Sequence, residues 1–211
     1  MKIKVLLVDD HATVREGLRT MLGNEPDMEV DSAEDGRDAL KLARELKPDV
    51  VVMDVTMPRL NGIDATAQLK RALPNANVIV LSMHDSVEVV QRAFEAGASG
   101  YLLKESTGWE IVDAIRAVRA GRRYLSRKID AAQLERHAGG QGDPLKRLSR
   151  REREVLQLVV EGHTSAEIAT MVSLSPKTVD SYRSRLMQKL DVRDLPSLVK
   201  LAIRFGLTEL K

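Results

Sequence analysis

Five short runs rich in β-branched and aliphatic residues alternate with five segments of helical spacing, and few fold classes tolerate that pattern. The runs are Ile3–Val8, Met28–Ala33, Val50–Met53, Val78–Leu81 and Gly100–Leu103. The segments between and after them are Thr13–Leu22, Gly36–Leu46, Ile63–Leu73, Val87–Ala96 and Trp109–Ala120. Strand–helix units in series predict a parallel sheet with helices on both faces. Several runs are nearly continuous in apolar residues, as a strand buried on both faces requires. Pro48, Pro58 and Pro74 fall between elements, where proline is tolerated.

Residues 122–147 break the alternation. Gly139, Gly140, Gly142 and Pro144 mark a polar linker. From Leu148 onward the spacing is helical only, over Arg151–Val160, Ser165–Met171, Pro176–Leu190 and Leu195–Phe205. Ser149 and Ser165 are the expected caps of the first two helices, and Ser149–Glu152 has capping-box spacing. Ser175–Pro176 reads as a cap followed by a first-turn proline. The expected division is residues 1–121, a linker over 122–147, and a helical domain over 148–211.

Charge divides the chain the same way. Residues 1–121 hold 15 Lys and Arg against 20 Asp and Glu, a net of −5. Residues 122–211 hold 18 against 11, a net of +7, which suits a nucleic-acid partner. Aromatic residues are only 3% of the chain, so the cores must be aliphatic. With no cysteine, disulfides and thiolate metal sites are excluded. No apolar run approaches a membrane span and no secretory leader is expected, so the expected compartment is the cytoplasm, with no membrane partner. His11, His84, His137 and His163 show no ligand spacing and are expected in surface or packing roles.

Ligands of open α/β sheets sit beyond the carboxyl ends of the strands. In this chain those positions carry Asp9 and Asp10 after the first run, Asp54 after the third, Ser82 after the fourth and Lys104 after the fifth. Three clustered carboxylates repel and call for a cation. Oxygen ligands favour Mg²⁺. A metal-bound carboxylate beside an ammonium is suited to take up a phosphoryl group, and Ser82 can donate a hydrogen bond to a phosphoryl oxygen. Asp54, alone on the central strand between the acids and the Ser and Lys, is the expected nucleophile.

The strings LLVDDH, VVMDVTMPRLNG, VIVLSMHD and GASGYLLKE resemble the receiver domain of response regulators. The resemblance implies a doubly wound, flavodoxin-like five-stranded sheet. It implies Asp54 as phospho-acceptor, with a partner histidine kinase as donor. It implies Mg²⁺ held by Asp9, Asp10, Asp54 and the carbonyl of Thr56, and a switch pair of Ser82 and Tyr101. Pro58 and Gly62 fit the loop after the acceptor in structural roles.

In the basic half, Ser165–Val172, the turn Ser173–Leu174–Ser175 and Pro176–Leu190 have the form of a helix-turn-helix. Val179, Tyr182, Leu186 and Leu190 recur at core spacing. The opposite face offers Lys177, Thr178, Ser181, Arg183, Ser184, Arg185, Gln188 and Lys189 to double-stranded DNA. The string LSRREREVLQLVVEGHTSAEIATMVSLSPKTVDSYRSRLMQKLDV resembles the LuxR-type helix-turn-helix of NarL/FixJ-type regulators, an all-α four-helix domain. The resemblance makes Pro176–Leu190 the recognition helix and Glu152 and Glu167 structural acids. Asp180 departs from it, standing at a groove-facing position where many members carry Lys or Asn. It can accept from cytosine N4, or pair with Arg183 or Ser184 on its own helix.

The combined expectation is a transcriptional regulator that dimerises on phosphorylation and binds promoter DNA. Leu198, Val199, Leu201, Ala202 and Phe205 of the last helix are expected to divide between core and a two-fold interface. One rival is an aspartyl-phosphate hydrolase, but Asp54 is followed by Val55 and Thr56 with no second carboxylate two residues on, so no enzymatic turnover is expected. A nucleotide binder wants a Gly-rich loop where this chain has DDHATVREG. The other rival is a DNA-binding regulator indifferent to phosphate.

Overall fold

The computed structural model describes residues 2–106, 108–132, 134 and 143–208. The glycines expected to mark the linker, Gly139, Gly140 and Gly142, lie outside the described residues. Chain contacts divide the protein into two compact units, residues 1–138 and 139–211.

The first unit is a parallel sheet of β1 (Ile3–Val8), β2 (Met28–Ala33), β3 (Val50–Asp54), β4 (Asn77–Ser82), β5 (Gly100–Leu103) and β6 (Tyr124–Leu125), in the order β2-β1-β3-β4-β5-β6. The helices between them are α1 (Ala12–Gly23), α2 (Gly36–Leu46), α3 (Gly62–Ala72), α4 (Val87–Glu95) and α5 (Gly108–Arg119). Alternate strand residues serve opposite faces, because side chains along a strand alternate. Val5, Leu7, Val50, Val52, Ile79, Leu81 and Leu102 pack with Leu22 of α1 and Ile111, Ile115 and Val118 of α5. Leu6, Val8, Val51, Met53 and Val78 pack with Ala39, Ala43, Ala65 and Leu69 of α2 and α3. Val80, Tyr101 and Leu103 pack with Val89, Val90 and Ala93 of α4. The fold class is the expected doubly wound one.

The strand count differs from the expected five. β6 falls inside the stretch read as linker and pairs in parallel with β5, Gly100 opposite Tyr124 and Tyr101 opposite Leu125. Two residues are too few to show a period, so the strand had no sequence signature. β6 and the chain beyond it stay on the sheet unit: Leu125 of β6, then Ile129 and Leu134, pack against the cluster that holds Tyr101.

The second unit opens on a single 3₁₀ turn, Pro144–Arg147, capped by Asp143, and continues with α6 (Arg150–Val160), α7 (Ser165–Val172), α8 (Pro176–Leu190) and α9 (Leu195–Arg204). Leu145 of the 3₁₀ turn is fully buried in this unit's core with Leu148, Val155, Ile168, Val179, Leu186 and Leu198. The helical unit therefore recruits core from ahead of residue 148. Ser149 and Glu152 form the expected capping box. The cap of α7 is Thr164, boxed with Glu167, and not Ser165. Thr164 and Ser165 are both hydroxyl residues, and only the Thr164 pair has Glu at the third helical position, which completes the box. Leu198 and Ala202 of α9 and its C-cap Phe205 are buried, whereas Val199 is half-buried and Leu195 is exposed.

Candidate functional site

Strand order reverses between β1 and β3, and the crevice at such a switch point is where α/β sheets bind ligands. Asp9 directly follows β1 and Asp54 ends β3. Both are nearly fully buried, whereas Asp10 is exposed. Lys104 follows β5 and reaches across β4. Its Nζ lies 2.8 Å from Asp54 Oδ2 and 3.1 Å from Asp9 Oδ2. Ser82 ends β4, is buried, and its Oγ accepts from the His84 N–H at 3.0 Å. The Lys104 N–H donates to the Ser82 carbonyl at 2.7 Å, which fixes the lysine's backbone beside the serine.

Electrostatics sharpen the picture. Burial pushes the Asp54 carboxyl up to about 7; Lys104 opposes that, and Asp9 and Asp10 add to it. Burial also works against the charged Lys104 ammonium, but Asp54 and Asp9 outweigh it and hold Lys104 above its ordinary range. One ammonium among three carboxylates leaves a deficit of positive charge. Asp54 Oδ1 is buried without a hydrogen-bond partner among the described residues, which an ion or a phosphoryl group would supply. Asp9, Asp10, His11 and Asp54 each offer one ligand atom within 4.8 Å of the others. This acidic pocket is compatible with metal binding.

His11 was not expected here. Its Nδ1 lies 3.0 Å from Asp10 Oδ1, and its side chain is largely exposed at the rim. Arg15 was also missed: its Nη1 donates to the Asp9 carbonyl at 2.7 Å and steadies the turn that carries the acids. The signal available for both was adjacency, His11 in the DDH string and Arg15 one helical turn beyond.

The loop after Asp54 explains Gly62. A Cβ there would lie 1.7 Å from the Asp54 carbonyl oxygen. Only glycine lets α3 start against the end of β3, with the Gly62 N–H donating to the Val55 carbonyl at 2.9 Å. Arg59, in the left-handed region, pairs with Asp35 and holds the loop's far side. Thr56 sits within this loop; its Oγ1 is buried without a hydrogen-bond partner among the described residues.

Tyr101 is fully buried and its hydroxyl donates to the His84 carbonyl at 2.7 Å. Burial raises its pKa, so it stays a neutral donor. Its ring lies in the cluster with Val89, Val90 and Ala93 of α4, against which Leu125, Ile129 and Leu134 pack.

In the helical unit, Lys177, Asp180, Ser181, Ser184, Arg185, Gln188 and Lys189 on α8 are exposed, and Thr178 and Arg183 half-buried. Val179, Leu186 and Leu190 are core, and Tyr182 packs against it. Ser175 caps the helix, its Oγ accepting from the Thr178 N–H at 3.1 Å. Ser173, in the left-handed region, makes the turn. Three of the expected DNA-facing residues, Lys189, Asp180 and Arg183, have side-chain partners on other helices. Lys189 Nζ lies 2.7 Å from buried Glu152 Oε2. Asp180 Oδ1 accepts from Ser165 Oγ at 2.7 Å, across the turn, and not from Arg183 or Ser184 on its own helix.

Comparison with known proteins matches residues 5–116 to the family described as response regulator receiver domain, and residues 146–202 to the bacterial regulatory proteins of the luxR family. The response regulator GacA of Pseudomonas aeruginosa is 41% identical over 210 residues, covering 98% of each chain. The transcriptional regulatory protein LiaR of Bacillus subtilis is 43% identical over 195 residues, covering 91% of this chain and 92% of LiaR. Among solved structures, RcsB from Salmonella enterica serovar Typhimurium, bound to promoter P1flhDC in the presence of phosphomimetic BeF3-, is 27% identical with a TM-score of 0.61, covering 97% of this chain and 99% of that one.

Proposed function

Because the chain belongs to the response regulators that join a receiver domain to a LuxR-type helix-turn-helix, we propose that Asp54 is its phospho-acceptor and that phosphorylation controls promoter binding by α8. The observation that carries this reading is the ammonium of Lys104 set against buried Asp54 and Asp9 at one end of the sheet.

Mg²⁺ fits the pocket: Asp9, Asp10, Asp54 and the Thr56 carbonyl would hold it, and it would supply positive charge to offset that of the phosphoryl oxygens. The donor is a phosphohistidine of a partner kinase. An Asp54 carboxylate oxygen forms the new P–O bond as the donor P–N bond breaks, and the imidazole leaves with a proton from water. Lys104 neutralises charge on the equatorial oxygens. Ser82 donates its hydroxyl hydrogen to a phosphoryl oxygen of the product.

The new charge shifts the unit between conformations already present. Tyr101 and Ser82 are the switch pair, and Leu125, Ile129 and Leu134, packed on the Tyr101 cluster, carry the change into the linker. The proposed division is a receiver over 1–121, a linker over 122–147 that starts on the receiver's sheet, and the DNA-binding domain over 148–211. Phosphorylation promotes a homodimer and the binding of α8 to paired half-sites, as RcsB dimers are seen on DNA. Lys177, Thr178, Ser181, Ser184 and Arg185 face base edges and phosphates, with Lys189 tied to Glu152 beside them. No helix among the described residues is long and apolar enough to cross a membrane, and the site of action is the cytoplasm.

Footprinting on genomic DNA with and without acetyl phosphate tests this. The wild-type chain gains protected sites with the phosphodonor and Asp54→Asn gains none; equal gain by the variant overturns the proposal.

A further inference from the structure

Asp180 is the one residue of the recognition helix that works against DNA binding by charge, and the structure gives it a different occupation. Ser165 is the first residue of α7, and Thr164 already caps that helix. The Ser165 hydroxyl is thereby free to reach α8. Its Oγ lies 2.7 Å from Asp180 Oδ1 and 3.0 Å from Arg183 Nη1. The direction of each bond is fixed by chemistry: a guanidinium only donates, a carboxylate only accepts, and a hydroxyl does one of each. Asp180 and Arg183 are thus joined through Ser165 rather than by direct contact.

We infer that Asp180 is a positioning residue, which through Ser165 sets where Arg183 stands and how α8 lies against α7, and is not a reader of bases. A base-reading carboxylate would need its oxygens open to the groove, and Oδ1 is engaged from the side of the preceding helix. Arg183 is half-buried and held at that same point. Its Nη1 is held at the first residue of α7, so Asp180 acts on a cation to which it is joined only through Ser165. This inference rests on the DNA-binding reading of α8.

The test is a double-mutant cycle in the full-length phosphorylated chain with Ser165→Ala, Asp180→Ala and both together, plus Asp180→Asn. The probe is a duplex recovered by the wild-type protein from a random-sequence pool, with every base pair then varied in turn. Ser165→Ala weakens binding roughly two- to tenfold, the scale of one lost hydrogen bond, and Asp180→Ala weakens it less, by the factor that Asp180→Asn gains from loss of the same negative charge. They change base preference alike, and the double variant binds as Asp180→Ala does. Asp180→Asn, whose amide oxygen still accepts from Ser165, keeps the wild-type preference and binds every sequence more tightly, because a negative charge is gone. Preference lost at one base pair in Asp180→Ala but kept in Ser165→Ala overturns the inference, as do effects that multiply in the double variant. Melting the same proteins without DNA reads the relay separately from the DNA-binding reading: the single variants lower the helical unit's transition and the double lowers it no further, and independent lowering contradicts the relay even if no duplex is recovered.

Discussion

Lys104 Nζ stands between two buried carboxylates, 2.8 Å from Asp54 and 3.1 Å from Asp9. A single cation shared by two acids satisfies neither fully, and Asp54 keeps an oxygen without a hydrogen-bond partner among the described residues. The pocket is therefore compatible with a bound cation.

Removing the ammonium tests its share. Lys104→Gln keeps a polar side chain of similar length but not the charge. Labelling of the chain by acetyl phosphate with Mg²⁺ should slow about 10²-fold, the usual scale for a lost electrostatic stabiliser. A rate within twofold of wild type, read by intact mass against time, contradicts the role given to Lys104.

Metal and pH should act together in the metal-free chain. The folded pKa of Asp54, about 7, lies above the ordinary aspartate value of 3.8, so the folded state holds this proton more tightly than the unfolded state. The stability this group contributes is fully present below about pH 3.8 and is lost as pH rises through about 7. Mg²⁺ binds ionised carboxylates and offsets that loss. Millimolar Mg²⁺ should raise the melting temperature of the sheet unit more near pH 8 than near pH 5.5. An equal rise at both, measured by calorimetry, contradicts the assignment.

Tyr101 separates hydroxyl from ring. Tyr101→Phe keeps the buried ring and loses the bond to the His84 carbonyl, at a cost of about 1 kcal/mol. Tyr101→Ala empties a fully buried site and should cost about 3–5 kcal/mol. Urea unfolding of the two variants measures the difference; equal costs show that the ring is not the packed element it is taken to be.

Glu152 joins the start of α6 to the end of α8. Burial raises its pKa, but Lys189 and the Ser149 cap outweigh that and hold it below the ordinary glutamate value. Its stabilising contribution is thus present above about pH 4.5 and is lost as pH falls through the lower folded value. Glu152→Gln should destabilise the helical unit by about 1–3 kcal/mol at neutral pH, with the gap to wild type closing in acid. A gap that persists unchanged near pH 3 contradicts the ion pair's role.

Much of this architecture is legible in the sequence because period and placement coincide. The strands β1, β3, β4 and β5 are nearly continuous apolar runs, and each ends at or is followed by a residue of the pocket: Asp9, Asp54, Ser82 and Lys104. Features set by distant partners were not legible. β6 is two residues that become a strand only because β5 lies beside them. Leu145 precedes the helical pattern yet is core, since a 3₁₀ turn aims it inward. The partner of Asp180 lies fifteen residues back, across a turn, where helical spacing gives no guide. Arg15 serves the pocket through a backbone carbonyl, and nothing in residue type announces that bond.

Intact-mass analysis after incubation with acetyl phosphate and Mg²⁺ tests the role of Asp54 most directly. The wild-type chain should gain one phosphoryl group, lost again in mild base as an acyl phosphate is, and Asp54→Asn should gain none. A wild-type chain that stays unmodified, or an Asp54→Asn chain that takes up the same mass, would contradict the account.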